Sequence, residues 1–288
     1  MLDLIETRIA IIGLGLMGGS LAMGLQGKCS GIYGADTDPK ALDLAHQSGI
    51  FDGLSEHPAE ILANTGLVVL AAPVGAILKL LEDLPDLHSG SPVVLDLGST
   101  KRQISAAMAL LPPRFDPLGG HPMTGKEKSG LDNASAGLFR GAPFAFTPLP
   151  RTTIQARHLA GQICEAVGAR PLWLEPDRHD RWTAATSHLP YLVASALALA
   201  TPVEAAPLVG PGFRSTTRVA ASSPEVMVDI VRSNADHILA ALGRFRDEID
   251  RMEQALKNGE WQALAGQLSQ AAASQKDLTY EHGEGGRQ

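Results

Sequence analysis

Short apolar segments alternate with helical patterns over the first 176 residues of the chain. Six segments rich in β-branched and other apolar residues fit strands, at residues 8–12, 31–35, 67–71, 93–97, 144–147 and 171–174. The segments at 9–12 and 67–71 are apolar throughout, which is typical of parallel strands covered by helices on both faces. After the second segment, Asp38 and Pro39 favour a helix start and Gly49 a helix end. The pattern predicts an α/β domain with a mostly parallel sheet.

The strand pattern stops near residue 177, and helices separated by loops with Pro and Gly follow. A helix predicted from about residue 234 to 256 carries one apolar stripe, formed by Ile238, Leu242, Phe245, Ile249, Met252 and Leu256. Such a stripe packs either in a helical core of the same chain or in a dimer interface. We therefore expect a first domain at residues 1–176, an all-α dimerisation domain at 177–280 and a disordered polar tail at 281–288.

Composition and charge narrow the class of protein. The formal net charge of −7 does not suit a nucleic-acid binder, whose affinity comes mainly from neutralising phosphates. The most apolar stretch, residues 189–200, is shorter than the ~20 residues that cross a bilayer, so we expect no membrane partner. The first residues lack the basic start of a signal peptide, and Cys29 and Cys164 have no metal-ligand spacing. We expect a cytoplasmic protein that acts on a small molecule without a metal.

A glycine-rich loop, GLGLMGGS at residues 13–20, follows the first predicted strand and opens a helix. Gly13 allows the tight turn, Gly15 lets the backbone approach a pyrophosphate, and Gly18 lets helix and strand pack closely. Amides at the helix N-terminus then face the phosphates. We predict a Rossmann-type dinucleotide site, with a purely structural glycine turn as the alternative. Its predicted residues are Gly13, Leu14, Gly15, Leu16, Met17, Gly18, Ala72, Pro73 and Ser99.

Asp36 stands at the end of the second predicted strand, 23 residues after Gly13. An acidic side chain at this place accepts hydrogen bonds from the adenosine ribose and repels a 2′-phosphate. NAD is therefore favoured over NADP, although Lys40 and Arg102 are cations that keep NADP open. The structural alternative for Asp36 is a turn residue.

Two further motifs follow later strands, DLGSTK at residues 96–101 and GGHPMTGKEKSG at 119–130. Because ligands bind at the carboxyl ends of strands in an open α/β sheet, we expect Ser99 and His121 to face the nicotinamide together from these loops.

These motifs resemble the prephenate/arogenate dehydrogenase family, and the likeness is close to a cyanobacterial-type branch. The resemblance spans almost the whole chain. Besides the three motifs above, it is carried by SHLP at residues 187–190 and GFRSTTRV at 212–219. It implies NAD(P)-dependent oxidative decarboxylation of prephenate, arogenate or both. The apolar stripe predicts a homodimer joined through the helical domain.

The resemblance also implies roles for individual residues. His121 would accept the proton of the substrate's ring hydroxyl, Ser99 would hydrogen-bond to that hydroxyl or to the imidazole, and Arg218 would bind the ring carboxylate. His188 would shape or polarise the site, with capping or packing as the alternative. We also expect Arg214, Glu127 and Lys126 to bind substrate, with a structural role as the alternative for Arg214.

Departures from the family pattern leave the substrate open. Some relatives carry His where Tyr191 stands, Thr where Lys126 stands, and Trp in the region of Met227. The choice between prephenate and arogenate, and inhibition by tyrosine, are not determined. Pyrroline-5-carboxylate reductases and β-hydroxyacid dehydrogenases share the fold plan, and a non-catalytic NAD-binding redox sensor is a further alternative. The segments around His121 and Arg218 argue against all three.

Overall fold

The computed structural model describes residues 3–126 and 128–279. These residues form an eight-stranded sheet of order β3-β2-β1-β4-β5-β6-β7-β8. Strands β1 to β6 run parallel, whereas β7 pairs antiparallel with β6 and parallel with β8. The strands are β1 Arg8–Ile12, β2 Gly31–Ala35, β3 Gly53–Ser55, β4 Leu67–Leu70, β5 Val93–Asp96, β6 Asp116–Pro122, β7 Pro143–Pro148 and β8 Arg170–Trp173.

Six helices belong to the segments that connect the strands. They are α1 Leu16–Leu25, α2 Pro39–Ser48, α3 Pro58–Ile61, α4 Val74–Leu87, α5 Arg102–Ala109 and α6 Ile154–Val167. Six more follow the sheet: α7 Pro176–Thr183, α8 Leu189–Ala200, α9 Pro211–Thr217, α10 Pro224–Ser233, α11 Ala235–Asn258 and α12 Trp261–Thr279. The expected Rossmann-type domain followed by helices is confirmed.

Alternating side chains of the strands enter two apolar cores, one on each face of the sheet. Ile9 and Ile11 of β1 belong to one core, and Ala10 and Ile12 to the other. All four are buried, which explains why the sequence of this strand is apolar throughout.

Local signals predicted several element ends correctly. Asp38 begins α2 by accepting a hydrogen bond from the backbone N–H of Lys40, and Gly49 ends it with φ of 64°. The helix predicted near 234–256 is α11.

Two strands were missed in the sequence. The short β3 lies at one edge of the sheet, and β6, at residues 116–122, contains two prolines and two glycines that mask its pattern. His121 therefore lies within a strand and not, as predicted, in a loop.

The chain divides into two compact units, residues 1–238 and 239–288. The first contains the sheet and helices α1 to α10, and the second contains most of α11 together with α12. The predicted tail at 281–288 lies outside the described residues. Within the described ranges, no helix is both long enough and apolar enough to span a membrane.

Candidate active site

A cavity of about 380 Å³ lies at the carboxyl ends of β1, β4, β5 and β6. The strand order reverses between β1 and β4, which is the place where open α/β sheets bind ligands. Helix α10 and Ser187 contribute to the wall from the helical part of the first unit. The predicted residues that line this cavity are Gly15, Leu16, Met17, Ala72, Pro73, Ser99, His121 and Lys126.

The glycine loop has the geometry that a dinucleotide requires. Gly13 has φ of 99°, and a Cβ there would lie 2.4 Å from the carbonyl oxygen of Ala71. A Cβ on Gly18 would lie 1.9 Å from the carbonyl oxygen of Gly13, so helix α1 can approach β1 only without a side chain. Around Gly15, in contrast, no described heavy atom beyond its chain neighbours lies within 4 Å of a Cβ position. This open space beside the N-terminus of α1 can admit a phosphate.

Asp36 holds the glycine loop against the end of β2. Its Oδ2 accepts a hydrogen bond from the backbone N–H of Leu14 at 2.6 Å, and its Oδ1 accepts one from Asp38 at 2.9 Å. The carboxylate is half-buried and is not among the described residues that line the cavity. The turn role considered for Asp36 is therefore present, and it leaves further lone pairs on both oxygens for ribose hydroxyls.

His121, which is partly buried, is the last of three hydrogen-bonded side chains, and the other two, His179 and Asp180, are buried. Its Nδ1 lies 2.8 Å from Nε2 of His179, and Nδ1 of His179 lies 2.8 Å from Oδ1 of Asp180. Asp180 is fully buried on α7 and accepts hydrogen bonds from the backbone N–H groups of Lys101 at 2.7 Å and Arg102 at 2.9 Å. The carboxylate thus occupies the positive N-terminus of α5. We call these three residues, Asp180, His179 and His121, the relay.

The hydrogen bonds of the relay determine which nitrogen of each imidazole carries a proton. Although burial opposes ionisation, hydrogen bonds from His179 and from the amides of Arg102 and Lys101 lower the pKa of Asp180, so its carboxylate only accepts. His179 must donate from Nδ1, and its Nε2 then accepts because burial lowers the pKa of His179 and keeps it neutral. His121 in turn donates from Nδ1. Its Nε2 therefore carries no proton and can accept one, and His121 lines the cavity.

His121 is well suited to accept a proton. Burial first, and then His179, Lys101 and His188, hold the pKa of His121 well below its ordinary value of 6.5. The neutral form therefore dominates at neutral pH. A proton taken up by Nε2 would create a positive charge that the relay can share with the carboxylate of Asp180.

A buried ion pair positions the strand that carries His121. Lys101 Nζ forms an ion pair with Asp96 and donates to the carbonyl oxygen of Gly120 at 2.5 Å. Asp96 Oδ1 accepts from the backbone N–H of Gly120 at 3.1 Å. Burial raises the pKa of Asp96 and lowers that of Lys101, while their mutual attraction opposes both shifts. Both polar backbone groups of the residue before His121 are therefore held by this pair.

His188 lies outside the described cavity wall but close to the relay. It ends a π-helical turn at residues 184–188, between α7 and α8, and is buried. Pro190, two residues after His188, has no N–H for the helical ladder, which favours such an irregular turn. Burial lowers the pKa of His188 to about 4, against an opposing attraction from Asp180.

Of the remaining predicted substrate residues that the structure describes, Lys126 lies at the cavity, whereas Arg214 and Arg218 do not. Arg214 on α9 and Arg218 in the following 3-10 turn are exposed, and neither is among the described residues of the cavity wall. Lys126 lines the cavity and donates to the carbonyl oxygen of Asn133 at 2.7 Å. Glu127 lies outside the described residues. Arg102, considered as a phosphate ligand, instead pairs with Asp236 and lies 3.8 Å from Asp177.

Sequence reasoning missed His179, Asp180 and the Asp96–Lys101 pair as parts of this site. The sequence shows an adjacent His-Asp pair, His179 and Asp180, shortly before His188. Nothing in the spacing connected it to His121, because the hydrogen bond between the two imidazoles joins residues 58 positions apart.

Comparisons with known proteins agree with this architecture. Residues 21–172 match the family model "Prephenate dehydrogenase, nucleotide-binding domain", and residues 175–270 match "Prephenate dehydrogenase, dimerization domain". The chain is 34% identical over 256 residues to the prephenate dehydrogenase of Bacillus subtilis. The aligned residues make up 85% of this chain and 68% of that protein.

Two solved structures have nearly the same fold. The prephenate dehydrogenase of Aquifex aeolicus, in complex with hydroxyphenyl propionate and NAD+, superposes with a TM-score of 0.86 at 27% identity, over 95% of this chain and 98% of that one. The arogenate dehydrogenase of Synechocystis gives 0.78 at 27% identity, over 94% and 100%. Because this chain is 27% identical to both proteins, sequence identity does not assign it to the prephenate or the arogenate branch of the family. The match of both domain models and the identity to the Bacillus protein show that this chain belongs to the prephenate dehydrogenase family.

Proposed function

We propose that this protein is a nicotinamide-dependent dehydrogenase that oxidatively decarboxylates prephenate, arogenate or both. The observation that carries the proposal is the relay. Its last residue, His121, lines the same cavity as the glycine loop and has an unprotonated Nε2 that can accept a proton. Relatives named prephenate, cyclohexadienyl and arogenate dehydrogenases support the substrate class.

In this reaction the ring hydroxyl loses a proton, the carbon that bears it gives up hydride, and the ring carboxylate leaves as CO2. His121 accepts the hydroxyl proton on Nε2, and Ser99, on the same cavity wall, orients the hydroxyl or the imidazole. His179 and Asp180 stabilise the resulting positive charge. The product is aromatic, which drives the loss of CO2.

We propose NAD as the cofactor, bound along the glycine loop with its phosphates at the N-terminus of α1. The bound nicotinamide supplies the hydride acceptor. The space around Gly15 fits this group, and the NAD+ complex of the Aquifex relative supports the choice. Asp36 would accept hydrogen bonds from the adenosine ribose while it holds the loop at Leu14.

Replacing Asp36 with Ser should raise the NADP-to-NAD ratio of kcat/KM about tenfold, or about 1.4 kcal/mol, because the carboxylate that repels a 2′-phosphate is lost. Efficiency with both cofactors should also fall, since Leu14 loses its hydrogen-bond acceptor. Asp38→Ser is the matched control: it removes a neighbouring carboxylate but keeps a side chain that can begin α2. An unchanged ratio in Asp36→Ser would show that Asp36 does not contact the ribose.

The ring carboxylate that prephenate and arogenate share is assigned, in this proposal, to Arg218. Arg218→Ala should raise KM about a hundredfold for either substrate, or about 3 kcal/mol, because a bidentate charged contact is lost. The dissociation constant for NAD should hardly change. Arg214→Ala is the matched control and should have a smaller effect. If Arg218→Ala weakens NAD binding instead, this assignment is wrong.

The direct test of the function is a turnover assay with prephenate and with arogenate, each with NAD+, in which formation of NADH is measured. Comparison of kcat/KM for the two substrates decides between them. A protein that binds NAD but oxidises neither substrate would be a sensor or a dehydrogenase of another class.

We propose further that the enzyme is a homodimer joined through its helical domain, residues 177–280, while residues 1–176 bind the cofactor. The family model for a dimerization domain supports this, and Ile249 and Leu256 of the α11 stripe are exposed in the single chain. Light scattering at micromolar concentration should give twice the chain mass of 30.3 kDa, and a monomer mass would refute the dimer. Both cysteines are free, as is common in the reducing cytoplasm, where we place the enzyme.

A further inference from the structure

Asn234 connects His188 to the relay. It is fully buried at the junction of α10 and α11, where its carbonyl oxygen accepts from the backbone N–H of Ile238 at 3.1 Å. Its side-chain Nδ2 donates to the carbonyl oxygen of Asp180 at 2.7 Å and lies 3.3 Å from Nδ1 of His188. One amide group therefore contacts both the main chain of the relay and the second buried histidine.

The orientation of this amide follows from its partners. The carbonyl oxygen of Asp180 can only accept, so the amide nitrogen of Asn234 must face it. Within the described part of the chain, Oδ1 of Asn234 has no hydrogen-bond partner. A flipped amide would bring its carbonyl oxygen against that of Asp180 and lose this hydrogen bond.

The same nitrogen determines the tautomer of His188. Nδ2 carries two hydrogens, and the one not used by Asp180 is available to Nδ1 of His188. This Nδ1 must then accept, and a neutral imidazole that accepts at Nδ1 carries its proton on Nε2. His188 is neutral at physiological pH, because burial lowers its pKa to about 4.

His121 and His188 thus have opposite tautomers, and contacts of Asp180 determine both. Its carboxylate acts through His179 to leave Nε2 of His121 bare, whereas its backbone carbonyl acts through Asn234 to leave Nε2 of His188 protonated. We propose that Asn234 is a positioning residue that holds His188 as a hydrogen-bond donor, so that only His121 can accept the substrate's proton. The roles in turnover rest on the proposed function, but the tautomers do not.

The tautomers can be measured directly by two-bond 1H–15N correlation NMR on the full-length protein labelled with 15N-histidine. The chain has nine histidines, and the ring signals that disappear in His188→Gln and His121→Asn assign the two of interest. At neutral pH we expect His188 to carry its proton on Nε2 and His121 on Nδ1. A proton on Nδ1 of His188 in the unmodified protein would overturn the inference.

Asn234→Asp replaces the amide donor by a carboxylate of the same shape. His188 should then gain a proton on Nδ1, while His121 and His179 keep their tautomers. We expect kcat/KM to fall about tenfold and the dissociation constant for NAD to stay unchanged. If His188 keeps the tautomer of the unmodified protein, Asn234 does not determine it and the inference fails.

Ser233→Ala is the matched control. It removes a buried hydroxyl, which contacts Thr100 Oγ1 at 2.8 Å, from the neighbouring position. It should lower stability and leave the tautomer of His188 unchanged. Should Asn234→Asp fail to fold, Asn234→Ala serves instead, and a mixture of His188 tautomers is expected.

The outcomes separate the inference from the proposed function. Expected tautomers in a protein that oxidises neither substrate would uphold the inference and refute the function. Oxidation of either substrate by a protein whose His188 carries its proton on Nδ1 would do the reverse.

Discussion

Asp180→Asn is expected to reduce kcat by about 10³ to 10⁴, although Asp180 does not line the described cavity. An amide in place of the carboxylate puts an N–H group against Nδ1 of His179 or against the amides of Lys101 and Arg102. With its Nδ1 forced to accept, His179 carries its proton on Nε2 and donates to Nδ1 of His121. The proton of His121 then moves to Nε2, and the base is lost.

The control for this variant is Asp177→Asn. Asp177 is an exposed neighbour that contacts Arg102 and His237 but not the relay. Its replacement should leave kcat within about twofold, as is usual for exposed ion pairs of small energy. Thermal unfolding of both variants should be recorded, since Asp180 also stabilises the N-terminus of α5.

A double variant distinguishes the relay from a purely structural role of Asp180. If Asp180 acts through His121, adding Asp180→Asn to His121→Asn should reduce kcat little further, because residues that act as a unit are not additive. Losses that multiply in the double variant would contradict the relay.

His121→Asn is expected to reduce kcat by about 10² to 10⁴ and to leave the dissociation constant for NAD nearly unchanged. Asn has no basic nitrogen to accept the hydroxyl proton. In the unmodified enzyme kcat/KM should fall on the acid side, at a pH well below 6.5, because burial, His179, Lys101 and His188 lower the pKa of His121. This acid limb should be absent from the residual activity of the variant.

The matched control is His88→Gln. His88 is another buried histidine with a pKa lowered by burial, but it contacts Thr65 and Gly90 and is not among the described cavity residues. Its replacement should reduce stability without changing kcat. A His121→Asn enzyme that turns over at nearly the original rate would exclude His121 as the base.

Unfolding must be followed in the same buffers as the acid limb. Buried neutral histidines such as His188 contribute stability that is present above about pH 6.5 and is lost as pH falls toward their folded pKa. For His188, whose pKa is about 4, the loss over this window approaches about 3 kcal/mol. A fall in activity that tracks unfolding would therefore not report the base.

The glycine loop, the first parallel strands, and the ends of α2 could be read from the sequence alone. Each depends on residues only a few positions apart: Gly13 must adopt a positive φ, and Asp38 accepts a hydrogen bond from an amide two residues later. The backbone conformations that single residues allow are local properties, and the pattern of burial repeats with the period of the element.

The position of His121 within a strand, the relay and the amide of Asn234 were decided only by the tertiary structure. Strand β6 carries prolines and glycines, so its own sequence does not favour a strand, and it is held through the Asp96–Lys101 pair of a neighbouring segment. The relay joins residues 58 positions apart, and Asn234 meets the backbone of Asp180 across 54 positions. Which nitrogen of a histidine carries its proton depends on such partners, because both tautomers have the same covalent sequence.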